Sequence, residues 1–378
     1  MDATMGVPMQ REAGQSRRPD MVRLEGCSKH YGVMRALHEI SLVVAEGEFV
    51  TLLGPSGSGK TTILNLIAGT VTPSSGRVFI GGHDVTHTPV EKRGLGMVFQ
   101  SYALMPHMTI FENIAFPLRV RGLPQAAIER KVKEVLELVR LHDVAGRKPR
   151  QLSGGQQQRV SLARCIVYNP TLILMDEPLG ALDKKLREQM QLEIRGLHKT
   201  LGVTMLYVTH DQEEALTMSD RIVLLNNGRI EQAGPPDELY FQPKTVFAAG
   251  FLGDSNLIEA TVSEAGSPAR LVAAAGYELR AEECAFPPGT RVIAMVRPEN
   301  VSIQAGGAVS ERDNVVEGTA VDTILLGSFV KHHVRLRDGT AAVVHESNRR
   351  RRSGIRPGDA VTLSWRASDL LVLDAEGQ

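Results

Sequence analysis

The chain has few cysteines, no excess of either charge and no long apolar run, and each of these features limits its possible functions. The sequence has three cysteines among 378 residues, and its 43 lysines and arginines balance its 43 aspartates and glutamates. Cys27, Cys165 and Cys284 are odd in number and widely spaced, which argues against a disulfide framework or a zinc site and suits a reducing compartment. We therefore expect each of them to be a small buried hydrophobic residue. The balanced charge gives no overall attraction to nucleic acid or to anionic lipid.

Long apolar runs are missing as well. No stretch approaches the roughly 18 consecutive apolar residues of a membrane-spanning helix, so work at a membrane would make the protein a peripheral subunit. Residues 1–20 mix charged side chains with glycine and proline and lack the apolar core of a signal peptide, which predicts a disordered tail. The composition, 42% hydrophobic, is typical of a soluble globular protein, and the length indicates about two or three domains.

A glycine-rich loop is the most informative stretch of the chain. It lies between the apolar run Phe49–Leu53, which predicts a buried strand, and a run from Thr62 to Ala68 that predicts a helix. Strand, glycine loop and helix are the context of a phosphate-binding loop, whose backbone N–H groups form an anion nest at a helix N-terminus. The Lys60 side chain would reach β- and γ-phosphates, and the Thr61 hydroxyl would ligate magnesium. The loop consists of Gly54, Pro55, Ser56, Gly57, Ser58, Gly59, Lys60 and Thr61, followed by Thr62.

A second apolar run ends in two carboxylates. Leu172–Asp176 is predicted to be a central parallel strand because its side chains are apolar on both faces. Asp176 and Glu177 lie at its carboxyl end, which is the edge where open α/β sheets bind ligands. Asp176 would hold magnesium through water, opposite Thr61. Glu177 would orient or deprotonate an attacking water.

Three more residues are candidates for contact with a nucleotide. Gln100 ends the predicted strand Gly96–Gln100 where it gives way to a loop, a usual place for a ligand-sensing side chain. His210 follows the predicted strand Val203–Val208 and would donate to a γ-phosphate oxygen. Tyr31, in a predicted turn between two strands, would either stack on an adenine ring or only cover the end of a strand.

The stretch Leu152, Ser153, Gly154, Gly155 and Gln156 begins a predicted helix. Ser153 suits the N-cap, and the two glycines leave backbone N–H groups uncovered, which predicts either a second anion site or a capped helix alone.

Other segments are predicted for their structure. Residues 124–143 have the periodicity of an amphipathic helix, and a further helix is predicted to start around Asp183 and run through Leu197. The apolar, methionine-bearing segment 101–111 fits either a groove for a partner or simple core packing. The runs on either side of Asn226-Asn227-Gly228 predict a hairpin.

From about Ser255 the pattern changes to short alternating strands separated by turns, which predicts a small β-barrel. The predicted strands are Leu257–Val262, Arg291–Val296, Val315–Ile324, Phe329–Leu336, Ala360–Trp365 and Leu370–Leu373. The basic run Arg349–Arg352 is predicted to be a solvated loop, with phosphate contact as the alternative.

Taken in order, these motifs resemble the nucleotide-binding subunit of ABC transporters over about residues 20–250. The roles that this resemblance implies are adenine stacking for Tyr31, Walker A for Gly54–Thr61, the Q-loop for Gln100, the signature motif for Leu152–Gln156, Walker B for Leu172–Asp176, the catalytic base for Glu177, the D-loop for Asp183 and the switch for His210. The cofactors that it implies are ATP and Mg²⁺, with metal contacts from Thr61, Gln100 and, through water, Asp176.

The resemblance also implies an assembly. In this family the signature motif of one subunit closes on ATP held by the phosphate loop of its partner, so a head-to-tail homodimer would have two composite sites. ATP would close the dimer, and hydrolysis by water that Glu177 activates would reopen it. The expected partners are transmembrane permease subunits, reached through the segment 101–111, and indirectly an extracytoplasmic solute-binding protein. The expected location is the cytoplasmic face of the inner membrane, as a peripheral subunit.

The C-terminal part resembles the TOBE domain of importer ATPases, on the basis of Val296–Glu299 and Gly327–Phe329. The expected fold is therefore an α/β P-loop ATPase with a mixed sheet and a helical subdomain, followed by a small all-β, OB-like barrel. The expected boundaries are a tail over 1–20, an ATP-binding domain over 21–252 with its helical subdomain at about 101–165, and a regulatory or dimerisation barrel over 253–378.

Phe251–Asn256 and Val98–Leu104 are similar to importers of the spermidine/putrescine type, and iron(III), phosphonate, sulfate and sugar importers share most of these features. A soluble ABC ATPase acting on nucleic acid is disfavoured because the chain has neither a second ATPase unit nor a long coiled-coil insert. A P-loop kinase would not need Leu152–Gln156, and the C-terminal β domain favours import over export.

Overall fold

The computed structural model describes residues 18–306, 312–348 and 353–375. Two compact units divide the chain. The first contains residues up to Val50, Gly59–Val208 and Asn227–Arg229, and the second contains Thr51–Ser58, Thr209–Asn226 and the chain from Ile230. Residues 1–17 of the predicted tail and the Arg349–Arg352 run lie outside the described residues, whereas Asp20 already begins a strand. Within the described ranges, no helix is both long and apolar enough to cross a membrane.

The first unit combines two sheets with five helices. Its elements in chain order are β1 Asp20–Tyr31, β2 Met34–Ala45, β3 Phe49–Leu53, α1 Lys60–Ala68, β4 Ser75–Ile80, β5 His83–Asp84, β6 Gly96–Val98, α2 Ile110–Val120, α3 Gln125–Leu138, α4 Gly154–Ile166, β7 Leu172–Asp176, α5 Lys184–Leu201 and β8 Thr204–Thr209. Strands β1, β2, β4 and β5 form an antiparallel sheet in the order β2-β1-β4-β5, in which Val22 pairs with both Val44 and Ile80.

The second sheet of this unit runs in the order β8-β7-β6, and β3 has only Phe49 and Val50 in this unit. Strands β6, β7 and β8 are parallel, so that Gly96 pairs with Ile173 and Asp176 pairs with Val208. The four apolar residues of β7 that precede Asp176 are fully buried, as the sequence predicts for a central strand. The carboxyl end of β7 therefore presents Asp176 and Glu177 at one edge of a parallel sheet.

Helix boundaries in this unit follow their capping residues. Thr109 and Ser153 form capping boxes at the starts of α2 and α4, with Glu112 and Gln156 as their respective partners. Asp183 caps α5 by accepting a hydrogen bond from Leu186 N at 3.0 Å. Helices α2, α3 and α4 contact one another.

The second unit contains helices, a hairpin and ten further strands. Its elements are α6 Gln212–Met218, β9 Arg221–Asn226, β10 Arg229–Gly234, α7 Pro236–Phe241, α8 Val246–Phe251, β11 Asn256–Glu264, β12 Ala269–Ala273, β13 Glu278–Ala281, β14 Arg291–Val296, β15 Ser302–Ala305, β16 Asn314–Leu325, β17 Phe329–Leu336, β18 Ala341–Ser347, β19 Ala360–Trp365 and β20 Leu370–Asp374. Strands β10, β9 and β3 neighbour one another in that order, and the turn at Asn227 and Gly228 has φ values of 46° and 71°, which confirms the predicted hairpin.

From β11 onward the chain forms two five-stranded antiparallel sheets, in the orders β13-β12-β11-β14-β20 and β15-β19-β16-β17-β18. One hydrophobic cluster draws side chains from both sheets, with Trp365 among its largest buried members. All six strands predicted for this region are present. Strands β12, β13, β15 and β18 were not predicted, because they are short or follow closely on a neighbouring strand.

Other differences from the sequence-based predictions are local. The helix predicted over 124–143 ends at Leu138, because Arg140 has a φ of 57° that breaks the helical conformation. Strand β6 ends at Val98, two residues before Gln100. The three cysteines are buried and free, as predicted.

Candidate functional site

The second half of the phosphate loop begins helix α1 in the first unit. Its N-cap is Gly59, with a φ of 101°, and Lys60, Thr61 and Thr62 are the first three helical residues. A Cβ at Gly59 would lie 2.5 Å from a Leu37 methyl carbon and 3.1 Å from Ala36 O, so glycine is required there. As a glycine, this N-cap residue provides no side-chain cap of its own. The first-turn N–H groups and the helix dipole therefore favour an anion.

The first half of the loop, Gly54–Ser58, lies in the second unit. Gly54 packs so closely on β9 that a Cβ would lie 2.3 Å from Leu225 O. Ser58 N donates to Pro55 O at 3.2 Å, which closes a tight turn. The exposed residues at the tip of this turn are Ser56 and Gly57.

Walker B and the α1 residues meet in the first unit. Thr61 Oγ1 donates to Asp176 Oδ1 at 3.4 Å. Burial and the charge of Glu177 raise the pKa of Asp176, against the smaller lowering effects of Thr61 and Lys60. Burial also lowers the pKa of Lys60, and the carboxylates of Glu177 and Asp176 oppose that change. These four side chains therefore form one electrostatic cluster.

Glu177 has an unusual backbone conformation. Its φ is 43°, in the left-handed region, which is strained for a residue with a Cβ. Glu177 N donates to Val208 O at 3.0 Å, and Glu177 O accepts from Gly180 N at 3.3 Å. The chain thus turns sharply after Asp176, and the two neighbouring carboxylates do not follow the alternation of a continuing strand.

The cluster fits a divalent cation. Asp176 and Glu177 are adjacent carboxylates that both act on Lys60, and the Thr61 hydroxyl lies beside an Asp176 oxygen. Mg²⁺ prefers oxygen ligands and is usually bound by one or two protein groups together with water and substrate phosphates. In residues 18–306, 312–348 and 353–375, no three His, Cys, Asp or Glu side chains are grouped as metal ligands.

Gln100 lies beside this cluster. Its side chain is exposed, and its Nε2 would be 3.8 Å from a Cβ placed on Gly180, the residue that closes the Glu177 turn. In the segment that follows, Tyr102 and Ile110 are buried, whereas Pro106 and His107 are exposed. Both ends of this segment therefore pack into the core, and its middle lies at the surface.

The signature stretch is a well-formed helix start. Gln156 N donates to Ser153 Oγ at 3.4 Å, and Ser153 N donates to Gln156 Oε1 at 3.0 Å. Leu152 and Gly155 are buried, and a Cβ on Gly155 would lie 2.9 Å from a Leu186 methyl carbon. The exposed Ser153 and the half-buried Gly154 face outward at the N-terminus of α4, where N–H groups favour an anion.

The remaining predicted residues lie at element ends. Tyr31 ends β1, is 44% exposed, and has Lys29 Nζ 5.1 Å from its ring centroid. Asp183 is exposed at the N-cap of α5. His210 is exposed in the second unit, directly before Asp211, which caps α6.

Two arginines near the site were not identified from the sequence. Arg93 is buried and donates to the last carbonyls of α1, and Arg164 on α4 donates to the two residues that follow Ser101. Their acceptors are backbone oxygens, which sequence patterns do not reveal. The signal that the sequence offers is the placement of the two arginines. Arg93 lies in a short loop, and Arg164 lies on a helix whose other residues are largely buried.

Comparison with known proteins gives matches over nearly the whole chain. Residues 37–180 match the family model described as ABC transporter, and residues 294–373 match the TOBE domain model. The spermidine/putrescine import ATP-binding protein PotA of Rubrobacter xylanophilus is 46% identical over 366 residues, or 96% of each chain. PotA of Escherichia coli strain K12 is 46% identical over 332 residues, or 86% of each chain.

Solved structures match the ATPase part. A dimeric ATP-binding cassette in a post-hydrolysis state, bound to ADP and Pi, is 35% identical with a TM-score of 0.52, covering 57% of this chain and 99% of that one. The protein cbiO1 from Clostridium perfringens, part of the ABC transporter complex cbiONQ, is 26% identical with a TM-score of 0.55, covering 58% of this chain and 90% of that one. These matches confirm the expected fold, an α/β ABC ATPase followed by a small β domain.

Proposed function

Since the chain belongs to the family of spermidine/putrescine import ATP-binding proteins, which are ABC transporter ATPases, we propose that it hydrolyses ATP to power polyamine import. The observation that carries this proposal is the cluster of Thr61, Asp176, Lys60 and Glu177 at the N-terminus of α1. It supplies an anion site and a cation site side by side, which hydrolysis of a nucleoside triphosphate requires.

Each residue of the cluster has a proposed role. The N–H groups of Gly54–Thr62 and the Lys60 ammonium bind the β- and γ-phosphates, because both present positive charge to anionic oxygens. Thr61, Gln100 and, through water, Asp176 would hold Mg²⁺, which would supply positive charge for the phosphates. Tyr31 stacks on the adenine ring.

Glu177 is the proposed general base. Its left-handed backbone departs from the course of a continuing strand, and we infer that Asp176 serves the cation while Glu177 serves water. Glu177 orients the attacking water and accepts its proton, and His210 donates a hydrogen bond to the γ-phosphate. Removing the Glu177 charge should therefore stop the chemical step and leave ATP binding intact.

Completion of the site requires a second copy of the chain. The capped helix start at Leu152–Gln156 is an anion site of its own, and we propose that it closes on ATP held by a partner subunit, with Asp183 at the same junction. The similarity to a dimeric ATP-binding cassette supports a homodimer with two such sites. Binding of ATP closes this dimer, and hydrolysis reopens it.

The other partners follow from the proposed transport role. Transmembrane permease subunits dock on the segment 101–111 next to Gln100, and a solute-binding protein acts through them. The protein then works as a peripheral subunit at the cytoplasmic face of the inner membrane. We propose an ATP-binding domain over 21–252, with its helical subdomain at about 101–165, and a regulatory or dimerisation domain over 253–378.

The proposal is tested with Glu177→Gln, an isosteric change that removes the base. We expect ATP binding as in the wild type, loss of hydrolysis by at least a hundredfold, and a stable dimer by light scattering only when ATP is present. Glu137→Gln, an exposed position on α3, is the matched control and should hydrolyse ATP and remain unaffected. Hydrolysis by Glu177→Gln at near the wild-type rate would remove Glu177 from its role.

A further inference from the structure

One face of helix α4 holds the backbone on both sides of Gln100. Three side chains of this helix, and Tyr168 just after it, donate hydrogen bonds to carbonyl oxygens of the segment that contains Gln100. The bonds run from Tyr168 OH to Leu95 O at 3.0 Å, from Cys165 Sγ to Met97 O at 2.9 Å, from Ser161 Oγ to Tyr102 O at 3.0 Å, and from Arg164 to Tyr102 O at 2.9 Å and Ala103 O at 2.6 Å. Arg164 and Cys165 lie three and four residues after Ser161, so these three side chains share one face of α4, and Tyr168 follows the end of the helix at Ile166.

The turn after Gln100 is strained. Tyr102 and Ala103 have φ values of 59° and 49°, so two consecutive residues with a Cβ are left-handed. Such a conformation persists only where its surroundings hold it, and it is concentrated at functional and switching segments. Here the holding groups are Ser161 and Arg164. The planar guanidinium binds both strained residues at once, through Nη2 and Nη1.

The same helix begins at the signature stretch. Ser153 is the N-cap of α4, and Arg164 lies 11 residues farther along, about 16 Å at the rise of an α-helix. A hydrogen-bonded helix of three turns moves as a rod. A displacement of the turn at Tyr102 and Ala103 must therefore either break the Arg164 bonds or move the signature stretch with it.

We propose that Arg164, assisted by Ser161, is a positioning residue that latches the Gln100 segment to the signature helix. This inference rests on the proposed function, in which Gln100 serves the ATP bound by its own chain and the signature stretch serves the ATP of the partner. The latch then joins the two composite sites of the dimer through each subunit. Occupancy of one site sets the position of the signature stretch at the other.

Hydrogen exchange of the full-length protein tests the latch directly. Arg164→Met keeps much of the apolar stem and removes the donors, and we expect amides 101–105 to exchange at least tenfold faster without nucleotide. Arg159→Met is the matched control, because Arg159 lies on the same helix and binds Glu193 at 2.8 and 2.6 Å instead of the Gln100 segment. Equal exchange of amides 101–105 in the two variants would overturn the proposal.

A rescue variant separates the latch from general stabilisation. Glycine adopts left-handed φ values without a Cβ penalty, so Ala103→Gly added to Arg164→Met should return exchange in this turn to within about threefold of wild type. A double variant that exchanges as fast as Arg164→Met would refute a role in holding the turn. Should Arg164→Met not accumulate as folded protein, Ser161→Ala removes one bond to Tyr102 O and should accelerate the same amides by a smaller factor, whereas no acceleration would overturn the role.

Addition of ATP tests the coupling. In the Glu177→Gln background, ATP should slow hydrogen exchange of amides 98–105 and 152–158. The decisive sample is a mixed dimer in which the partner carries Lys60→Ala, so that its own phosphate loop does not bind ATP. In the other subunit of this dimer, Arg164→Met should abolish the slowing of amides 152–158. Retention of that slowing in Arg164→Met would overturn the coupling. If ATP changes exchange neither with Arg164 present nor in Arg164→Met, the proposed function is rejected. The exchange of amides 101–105 without nucleotide would still decide whether the latch exists.

Discussion

Arg93 anchors the far end of the phosphate-loop helix, and its removal should destabilise the first unit. Its guanidinium donates to Leu66 O and Ile67 O at 2.8 Å, both in the last turn of α1, where carbonyls lack helical partners. It also donates to Val85 O at 2.6 Å and Thr88 O at 2.9 Å, and the side chain is only 8% exposed. One residue therefore ties α1 to the segment that follows β5.

The magnitude follows from these acceptors. Arg93→Met has a similar stem but leaves the two α1 carbonyls and Thr88 O without their donor, at about 1–3 kcal/mol for each buried group. Val85 O keeps a bond from Thr88 N at 3.0 Å. Burial lowers the pKa of Arg93, so removal of the buried charge offsets part of the loss. We expect a net loss of about 3 kcal/mol, or roughly 6–12 °C in the melting temperature of a unit of this size.

Circular dichroism and fluorescence separate the units in this assay. The far-ultraviolet circular dichroism signal of helices comes largely from long helices of the first unit such as α4 and α5. Trp365 is the one tryptophan of the sequence and is buried in the β domain, so its fluorescence follows the second unit. Lys92→Met, at an exposed neighbouring position, is the control and should change stability by less than about 0.5 kcal/mol. An Arg93→Met protein as stable as this control would refute the reasoning.

Asp176→Asn should melt at a higher temperature than the wild type at pH 7 and lose ATP hydrolysis. The raised pKa makes the charged form of Asp176 costly in the folded state, so the gain should disappear as pH falls toward 3.8, and a gain independent of pH would contradict this origin. Gly54→Ala should lose binding of a fluorescent ATP analogue because Leu225 O occupies the space of the new methyl group, and binding within twofold of wild type would count against that contact. Glu346→Gln should destabilise the β domain at pH 7, measured by Trp365 fluorescence. Burial raises the pKa of Glu346, but hydrogen bonds from Ser353 and His332 outweigh it and lower the pKa overall. The difference should therefore shrink as pH falls from 4.5 through the lowered pKa of the folded state, and a difference that does not depend on pH would exclude this cause.

The sequence predicted those parts of the site that depend on local patterns. Ser153 and Asp183 occupy helix starts as expected, because capping chemistry is encoded within a few residues, and α1 begins at Lys60, two residues before its predicted start at Thr62. The central strand before Asp176 was equally readable from its unbroken apolar run.

Features that depend on distant backbone atoms were not predictable. The left-handed φ of Glu177 reflects a bond from its N–H to Val208 O, 31 residues away in sequence, and nothing in the residues around Glu177 indicates it. The bonds from Arg164 reach carbonyl oxygens 61 and 62 residues earlier in the chain. A carbonyl is present at every residue, so such contacts leave no compositional trace.

The C-terminal strands show the same limit. Strands β16 and β17 have alternating or β-rich sequences and were predicted, whereas β13 and β15 have four residues each and gain their order from neighbouring strands. Short strands fall below the window in which alternation can be recognised.

Uptake of labelled polyamine by cells tests the central claim most directly. The strain would lack its own copy of this gene and carry either the wild-type gene or Glu177→Gln, with equal amounts of the two proteins verified. We predict that spermidine or putrescine uptake is lost in the deletion strain, restored by the wild type and not restored by Glu177→Gln. Unchanged uptake of both polyamines in the deletion strain, or full restoration by Glu177→Gln, would contradict the account.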